Sequence, residues 1–331
     1  MLQSEEMQTI TTLNALYKPI QKDLDAVRGA VADLWTDALR LVDGNTAHAP
    51  QVGGKMLRPA LCLLSAGAIG GGDTSRFVPL ATAMELLHLA ALAHDDVIDG
   101  ADLRHGMRSL NAMWDNHTAV LGGDYLVARA IAIMGQYDNC SVITNAIGSV
   151  REMAEGELTN FGLGPEHFSQ DACVSLARQK TASLFAVTCS TPACLIEGTP
   201  RADLHAYGLA FGVAFQLVDD LLDLSQDPAT LGKPAFGDIV EGKKTVPILF
   251  MREGLDAQGI ARLDSLKGKP LSESDRHWVS EMLETTGARE RTEQIAREYI
   301  DEARAAIATL PNSVYRDAML GLAEFVVVRG S

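Results

Sequence analysis

Aromatic residues make up only 5% of this 331-residue chain, although 47% of it is hydrophobic. Ala and Leu dominate the apolar set. Sheets pack best through aromatic and β-branched side chains, whereas Ala and Leu rank highest in helix propensity, so the composition predicts an all-α protein. Cysteine is also sparse. Cys62, Cys140, Cys173, Cys189 and Cys194 are odd in number and contain no C-x-x-C pair, which excludes a disulfide framework or a cysteine zinc site as an organising feature. Positive charge is short as well: 28 Lys and Arg stand against 43 Asp and Glu, for a net charge of −15, and no long basic run offers a footprint for nucleic acid. A small anionic ligand stays open, because a few cations focused in one cleft with a divalent metal outweigh a distant, salt-screened negative surface. The N-terminal stretch MLQSEEMQTITTLN has no apolar signal core, and no uninterrupted apolar run reaches the length of a membrane span. A cytoplasmic protein with reduced thiols is the expectation.

What is present is helical periodicity. It predicts helices over roughly 13–41, 77–100, 118–134, 141–161, 169–190, 201–224, 246–253, 272–284, 288–310 and 313–328, with a further stretch resuming at Lys55. Pro and Gly fall mainly between these segments, and neither a linker nor a shift in composition divides the chain. Residues 1–331 are therefore expected to form one domain, a single large helical bundle.

Two of the helices end in aspartate clusters. Asp95-Asp96-Val97-Ile98-Asp99 follows the apolar run LLHLAALAH, and Asp219-Asp220-Leu221-Leu222-Asp223 follows LAFGVAFQLV. On a helix, residues four apart share a face, so Asp95 with Asp99, and Asp219 with Asp223, each present a carboxylate pair in one direction, with Asp96 and Asp220 turned aside. A single D-x-x-x-D is usually a solvated helix end. Here both follow apolar runs that carry the helix into the core, where unpaired carboxylates are costly, and convergent carboxylates repel one another unless hard cations neutralise them. All-oxygen ligation suits magnesium, which retains waters and shares phosphate oxygens with the protein. Lys55, Arg58, Arg104, Lys180, Lys233, Lys243 and Lys244 supply the cations that two diphosphate groups require.

The motifs GGKMLRP, ELLHLAALAHDDVIDGADLRHG, AVLGGDYLVARA, EGELTNF, KTASLF, FQLVDDLLD, LGKP and DIVEGKKTVP run in an order that resembles the trans-isoprenyl diphosphate synthases. The resemblance implies an isoprenoid-synthase bundle with a central cavity, dependent on Mg2+. It also implies condensation of an allylic diphosphate with isopentenyl diphosphate, head to tail, in a homodimer. Carried over residue by residue, it makes Asp95, Asp99 and Asp219 magnesium ligands, with Asp96, Asp220 and Asp223 as supporting or water-mediated ones. It gives the allylic diphosphate to Arg104, Lys180, Gln216, Lys233 and Lys243, with Thr181 near the allylic cation. Isopentenyl diphosphate falls to Gly54, Lys55, Arg58 and His88.

The chain departs from the family where Arg104-His105-Gly106 stands for the usual Arg-Arg-Gly. The second Arg normally grips isopentenyl diphosphate, so either His105 or Arg108 takes over that contact. The resemblance further implies that bulk just upstream of the first aspartates sets product length. Ala90 and Ala91 stand there, which favours a product longer than geranylgeranyl, although Leu87 or Tyr125 lower in the tunnel are alternative stops. A shorter farnesyl or geranylgeranyl product, a non-catalytic subunit of a heteromeric synthase and a terpene cyclase are the competing readings. The cyclase is weakened by the second Asp-rich cluster, where cyclases carry an Asn/Ser/Glu motif.

Overall fold

The computed structural model describes residues 13–42, 54–70, 72–100, 103–104, 107–162, 168–224 and 235–328, with backbone alone at 103–104, 107 and 160–162. Lys233 and His105, with Gly53, lie outside the described residues. Helices carry nearly all of it: α1 (Gln21–Val42), α2 (Leu57–Gly70), α3 (Val78–Ile98), α4 (Asn116–Gly135), α5 (Cys140–Gly162), α6 (Gln170–Ala177), α7 (Ser183–Ser190), α8 (Arg201–Asp223), α9 (Gly237–Glu241), α10 (Val246–Gly254), α11 (Ala257–Ser265), α12 (Glu273–Thr285), α13 (Ala288–Ala306) and α14 (Val314–Val328). The all-α expectation holds, with one addition. After the first aspartate cluster the chain folds back as a two-residue antiparallel pair, Leu103–Arg104 with Met107–Arg108, in which Leu103 opposes Arg108 and Arg104 opposes Met107.

One connected apolar core runs from Leu13 to Val326. At its centre α2 buries nearly its whole circumference, and α3 buries Leu80 through Leu87 without a break. A helix apolar all round belongs inside a layered bundle, with neighbours on every side. α3 packs extensively on α4, and α8 on both α7 and α13. Tyr207 and Phe211 of α8 stack with centroids 5.9 Å apart, and Phe185 of α7 meets Phe211 edge-on at 5.2 Å. These rings form an aromatic cluster where α7 and α8 cross.

Two helical stretches, Ser75–Ile98 and Asn116–Gly135, are long and apolar enough to cross a membrane by length and composition alone. The first is a core helix, 61% buried within the chain, and it carries Glu85 and the first aspartates. The second, α4, is only 28% buried and leaves Val120 and Leu121 exposed.

Candidate metal and diphosphate site

The site begins with two helix ends. Asp95 lies in the last turn of α3 and Asp99 is its C-cap, the Asp99 N–H donating to the Asp95 carbonyl at 2.8 Å. The two carboxylates therefore sit one turn apart, both partly exposed, while Asp96 turns inward and is buried. At the end of α8 Asp219 is half-buried, and Asp220 and Asp223 are buried.

Between these ends stand cations. The expected single helix over 169–190 is interrupted by a π-helical turn, Arg178–Ala182, which separates α6 from α7 and contains both Lys180 and Thr181. Such single-turn π segments recur at functional sites because the extra residue re-aims side chains. Two glycines let neighbouring helices close on this turn: a Cβ on Gly212 of α8 would lie 2.5 Å from the Ala182 Cα, and one on Gly156 of α5 would lie 2.8 Å from the Gln179 Cβ. As a result Lys180 Nζ comes 2.7 Å from Glu157 Oε2 and 3.5 Å from Asp95 Oδ1. Burial pushes this ammonium down, but Asp95 and Glu157 outweigh it and raise it above its ordinary value. Lys180 stays charged throughout the physiological range.

Lys243 does the same at the other end. Its Nζ lies 2.5 Å from Glu241 Oε2, 3.4 Å from Asp99 Oδ2 and 3.7 Å from Asp238 Oδ1. Burial is again opposed and exceeded, here by Asp238, Glu241 and Asp99. Asp238 is tied to the second cluster, because its backbone N–H donates to Asp223 Oδ2 at 2.9 Å. One lysine thus spans the gap between the Asp99 end and the Asp223 end.

Behind the cations a relay crosses the bundle. Thr181 Oγ1 donates to Gln216 Oε1 at 2.6 Å, and Gln216 Nε2 donates to Asp220 Oδ1 at 2.7 Å. Burial, followed by the charges of Asp238, Asp219 and Asp223, holds the Asp220 carboxyl well above the usual range despite the Gln216 bond. Arg58 of α2 reaches the same region from below. Its guanidinium lies 4.3 Å over the Phe185 ring and feels both Glu85 and Asp219, while burial pushes it down to about 10. Glu85, buried opposite, is pushed up to about 7 by desolvation against the pull of Arg58. Lys55 is exposed, with its ammonium 5.9 Å from the Phe325 ring, and Gly54 beside it is exposed. His88 stands two turns before Asp95 on the same face of α3, half-buried. Arg108 is exposed and donates to the Ala112 carbonyl.

Glu157, Asp238 and Glu241 were absent from the residues expected from sequence, although EGELTNF and DIVEGKKTVP contain them. Neither motif follows an apolar helix in the way the aspartate clusters do: Asp238 and Glu241 sit three apart in only five helical residues, and Glu157 has its nearest acid, Glu155, two residues away. The two alanines upstream of Asp95 also part company: Ala90 is 1% exposed and belongs to the core, whereas Ala91 shares the half-open face with His88 and Asp95.

Among the described residues no three acidic, His or Cys side chains form a ready-made metal cage. The donors still fit a hard divalent cation. They are all oxygen, they come in pairs one turn apart, and they outnumber the ammonium groups that now lie between them. Magnesium requires only one or two carboxylates from the protein when phosphate and water complete its shell. A surface groove of about 550 Å³ beside Arg262 and Trp278 shares no residue with this site.

Comparison with known proteins agrees with the geometry. The polyprenyl synthetase family model matches residues 40–283. The chain belongs to the polyprenyl synthetase family. An all-trans-nonaprenyl-diphosphate synthase (geranyl-diphosphate specific) of Rhodobacter capsulatus is 32% identical over 94% of this chain and 96% of its own. The octaprenyl diphosphate synthase of Escherichia coli K12 is 32% identical over 93% and 96%. The polyprenyl synthase of Caulobacter crescentus CB15, solved with calcium and isoprenyl diphosphate, superposes with a TM-score of 0.85 at 31% identity, covering 96% of this chain and 98% of its own.

Proposed function

We propose that this polyprenyl synthetase condenses an allylic diphosphate with isopentenyl diphosphate, head to tail and trans, to make a polyprenyl diphosphate longer than geranylgeranyl. The observation that carries the reading is the pair of aspartate clusters on α3 and α8, drawn to opposite sides of a gap that Lys180 and Lys243 line. Magnesium is the metal the donor set suits best, held by Asp95, Asp99 and Asp219, with Asp96, Asp220 and Asp223 behind them. When bound it supplies charge neutralisation and Lewis acidity at the allylic diphosphate. Lys180, Lys243, Arg104, Lys233 and Gln216 hold that diphosphate and stabilise charge as it departs. Electrostatic stabilisation by fixed cations is worth most in a site sheltered from water. The Thr181 hydroxyl and Gln216 carbonyl, joined at 2.6 Å, present fixed dipoles to the allylic cation. Apolar walls from α3, α7 and α8 keep water from quenching it. Gly54, Lys55, Arg58 and His88 take isopentenyl diphosphate. The departing diphosphate, rather than a side chain, is assigned as the base that accepts the last proton.

Product length is read from Ala91, whose small side chain leaves open the face below the metal ligands; the nonaprenyl and octaprenyl relatives support the same choice. The exposed apolar face of α4 suits a second copy of the chain, so we read the enzyme as a cytoplasmic homodimer of one-domain subunits. The test is incubation of purified protein with magnesium, isopentenyl diphosphate and several allylic primers, followed by sizing of the products. A ladder extending beyond geranylgeranyl is expected. No elongation with any primer would instead favour the non-catalytic subunit.

A further inference from the structure

The segment that carries Gly54, Lys55 and Arg58 is held in an unusual backbone conformation. Gly54 has φ +97°, and two residues on, the non-glycine Met56 has φ +50°, with its side chain buried. A side-chain-bearing residue in this region costs of order 1 kcal/mol or more and persists only where its surroundings fix it. Among the described residues, the fixing contact arrives from far away in sequence. The hydroxyl of Tyr17, at the end of the helical segment 13–17, donates to the Lys55 carbonyl at 2.6 Å. The Tyr17 ring is 2% exposed and sits in the core with Ile20, ahead of the 3-10 turn Lys18–Ile20 that starts with Pro19 in its first positions. A phenol placed this way has little freedom. Burial raises its pKa, with Arg28 opposing and Glu85 reinforcing, so it remains a donor at every working pH.

We infer that Tyr17 is a positioning residue for isopentenyl diphosphate: its hydroxyl clamps the Lys55 carbonyl, holds Met56 in the left-handed region, and so aims the Lys55 ammonium. The inference rests on the assignment of that loop to isopentenyl diphosphate. Tyr17 itself touches no reacting atom. Releasing the clamp lets Met56 relax to negative φ and swings Lys55 away, while the aspartate clusters on α3 and α8 are untouched.

The test is Tyr17→Phe, which keeps the buried ring and removes only the hydroxyl, measured beside Lys55→Ala and the double variant. Losing one such hydrogen bond is expected to raise KM for isopentenyl diphosphate about 5- to 10-fold. KM for the allylic primer and kcat at saturation should stay within about 2-fold. In the Lys55→Ala background the further effect of Tyr17→Phe should be much smaller than in the wild type, because both act through one ammonium. If Lys55→Ala raises KM for isopentenyl diphosphate and Tyr17→Phe does not, the positioning role is refuted. Equal effects of Tyr17→Phe on both substrates, or full additivity in the double variant, also refute it, since general loosening of the fold behaves that way. If Lys55→Ala itself leaves KM unchanged, the loop assignment fails and the inference falls with it.

Discussion

Replacing Lys243 by Met tests whether the lysines stand where metal charge belongs. The substitution keeps the unbranched side chain out to Cε and removes an ammonium that lies within 3.7 Å of Asp99, Asp238 and Glu241. Exposed ion pairs contribute under about 1 kcal/mol, whereas breaking a buried one costs about 3–5 kcal/mol. Lys243 is 35% exposed, so solvent screening places the loss nearer the lower end, at about 1–2 kcal/mol. For a chain of this size that corresponds to a Tm lower by roughly 1.5–3 °C. Magnesium neutralises the same carboxylates, so the deficit should be largest in chelator and should shrink as magnesium is titrated in at constant ionic strength. Scanning fluorimetry of wild type and variant across that titration reads the difference. Turnover should fall about 100-fold, as when one fixed electrostatic donor is removed from an active site. A Tm deficit that is identical with and without magnesium would refute the reasoning.

Two further outcomes follow from the site. Glu85, whose carboxyl is pushed up from 4.5 to about 7, binds its proton more tightly in the folded chain than in the unfolded one. It therefore favours folding fully below its ordinary pKa and loses that contribution as pH rises through 7; Glu85→Gln should change stability relative to wild type by roughly 2–3 kcal/mol between about pH 5 and pH 8. Denaturant melts measure this, and parallel pH curves would contradict it. Ala91→Phe should shorten the products without loss of turnover, read by chromatography of the hydrolysed chains, and an unchanged length rejects the open-floor account. Ala90→Phe should instead overpack the core and cost about 1–3 kcal/mol, seen as a lower Tm.

The parts of this site that were legible in the sequence are those set by periodicity. Asp95 with Asp99, and Asp219 with Asp223, repeat every four residues at the ends of apolar helices, so their direction follows from helical geometry alone. The long helices α3, α4, α5 and α8 were legible for the same reason. What escaped depends on contacts between distant segments. The π turn at Arg178–Ala182 leaves no mark in hydropathy, since its residues read as an ordinary helix until Gly212 and Gly156 bring their helices against it. α11, Ala257–Ser265, escaped although α10 is equally short, because it buries only Leu263 where α10 buries the continuous apolar run Val246 to Met251. Glu157, Asp238 and Glu241 become visible only once Lys180 and Lys243 are seen lying against them. Ala90 and Ala91 look equivalent in sequence, and packing separates them.

The central claim is that the two clusters act together on one metal-bound diphosphate, and steady-state turnover of Asp95→Asn and Asp219→Asn at saturating magnesium tests it most directly. Both exchanges preserve shape and helix ends while removing one negative ligand. The account predicts a fall in kcat/KM of about 100- to 1,000-fold for each, with melting curves close to wild type. Either variant turning over within about 3-fold of wild type, a loss of less than about 1 kcal/mol, would contradict it.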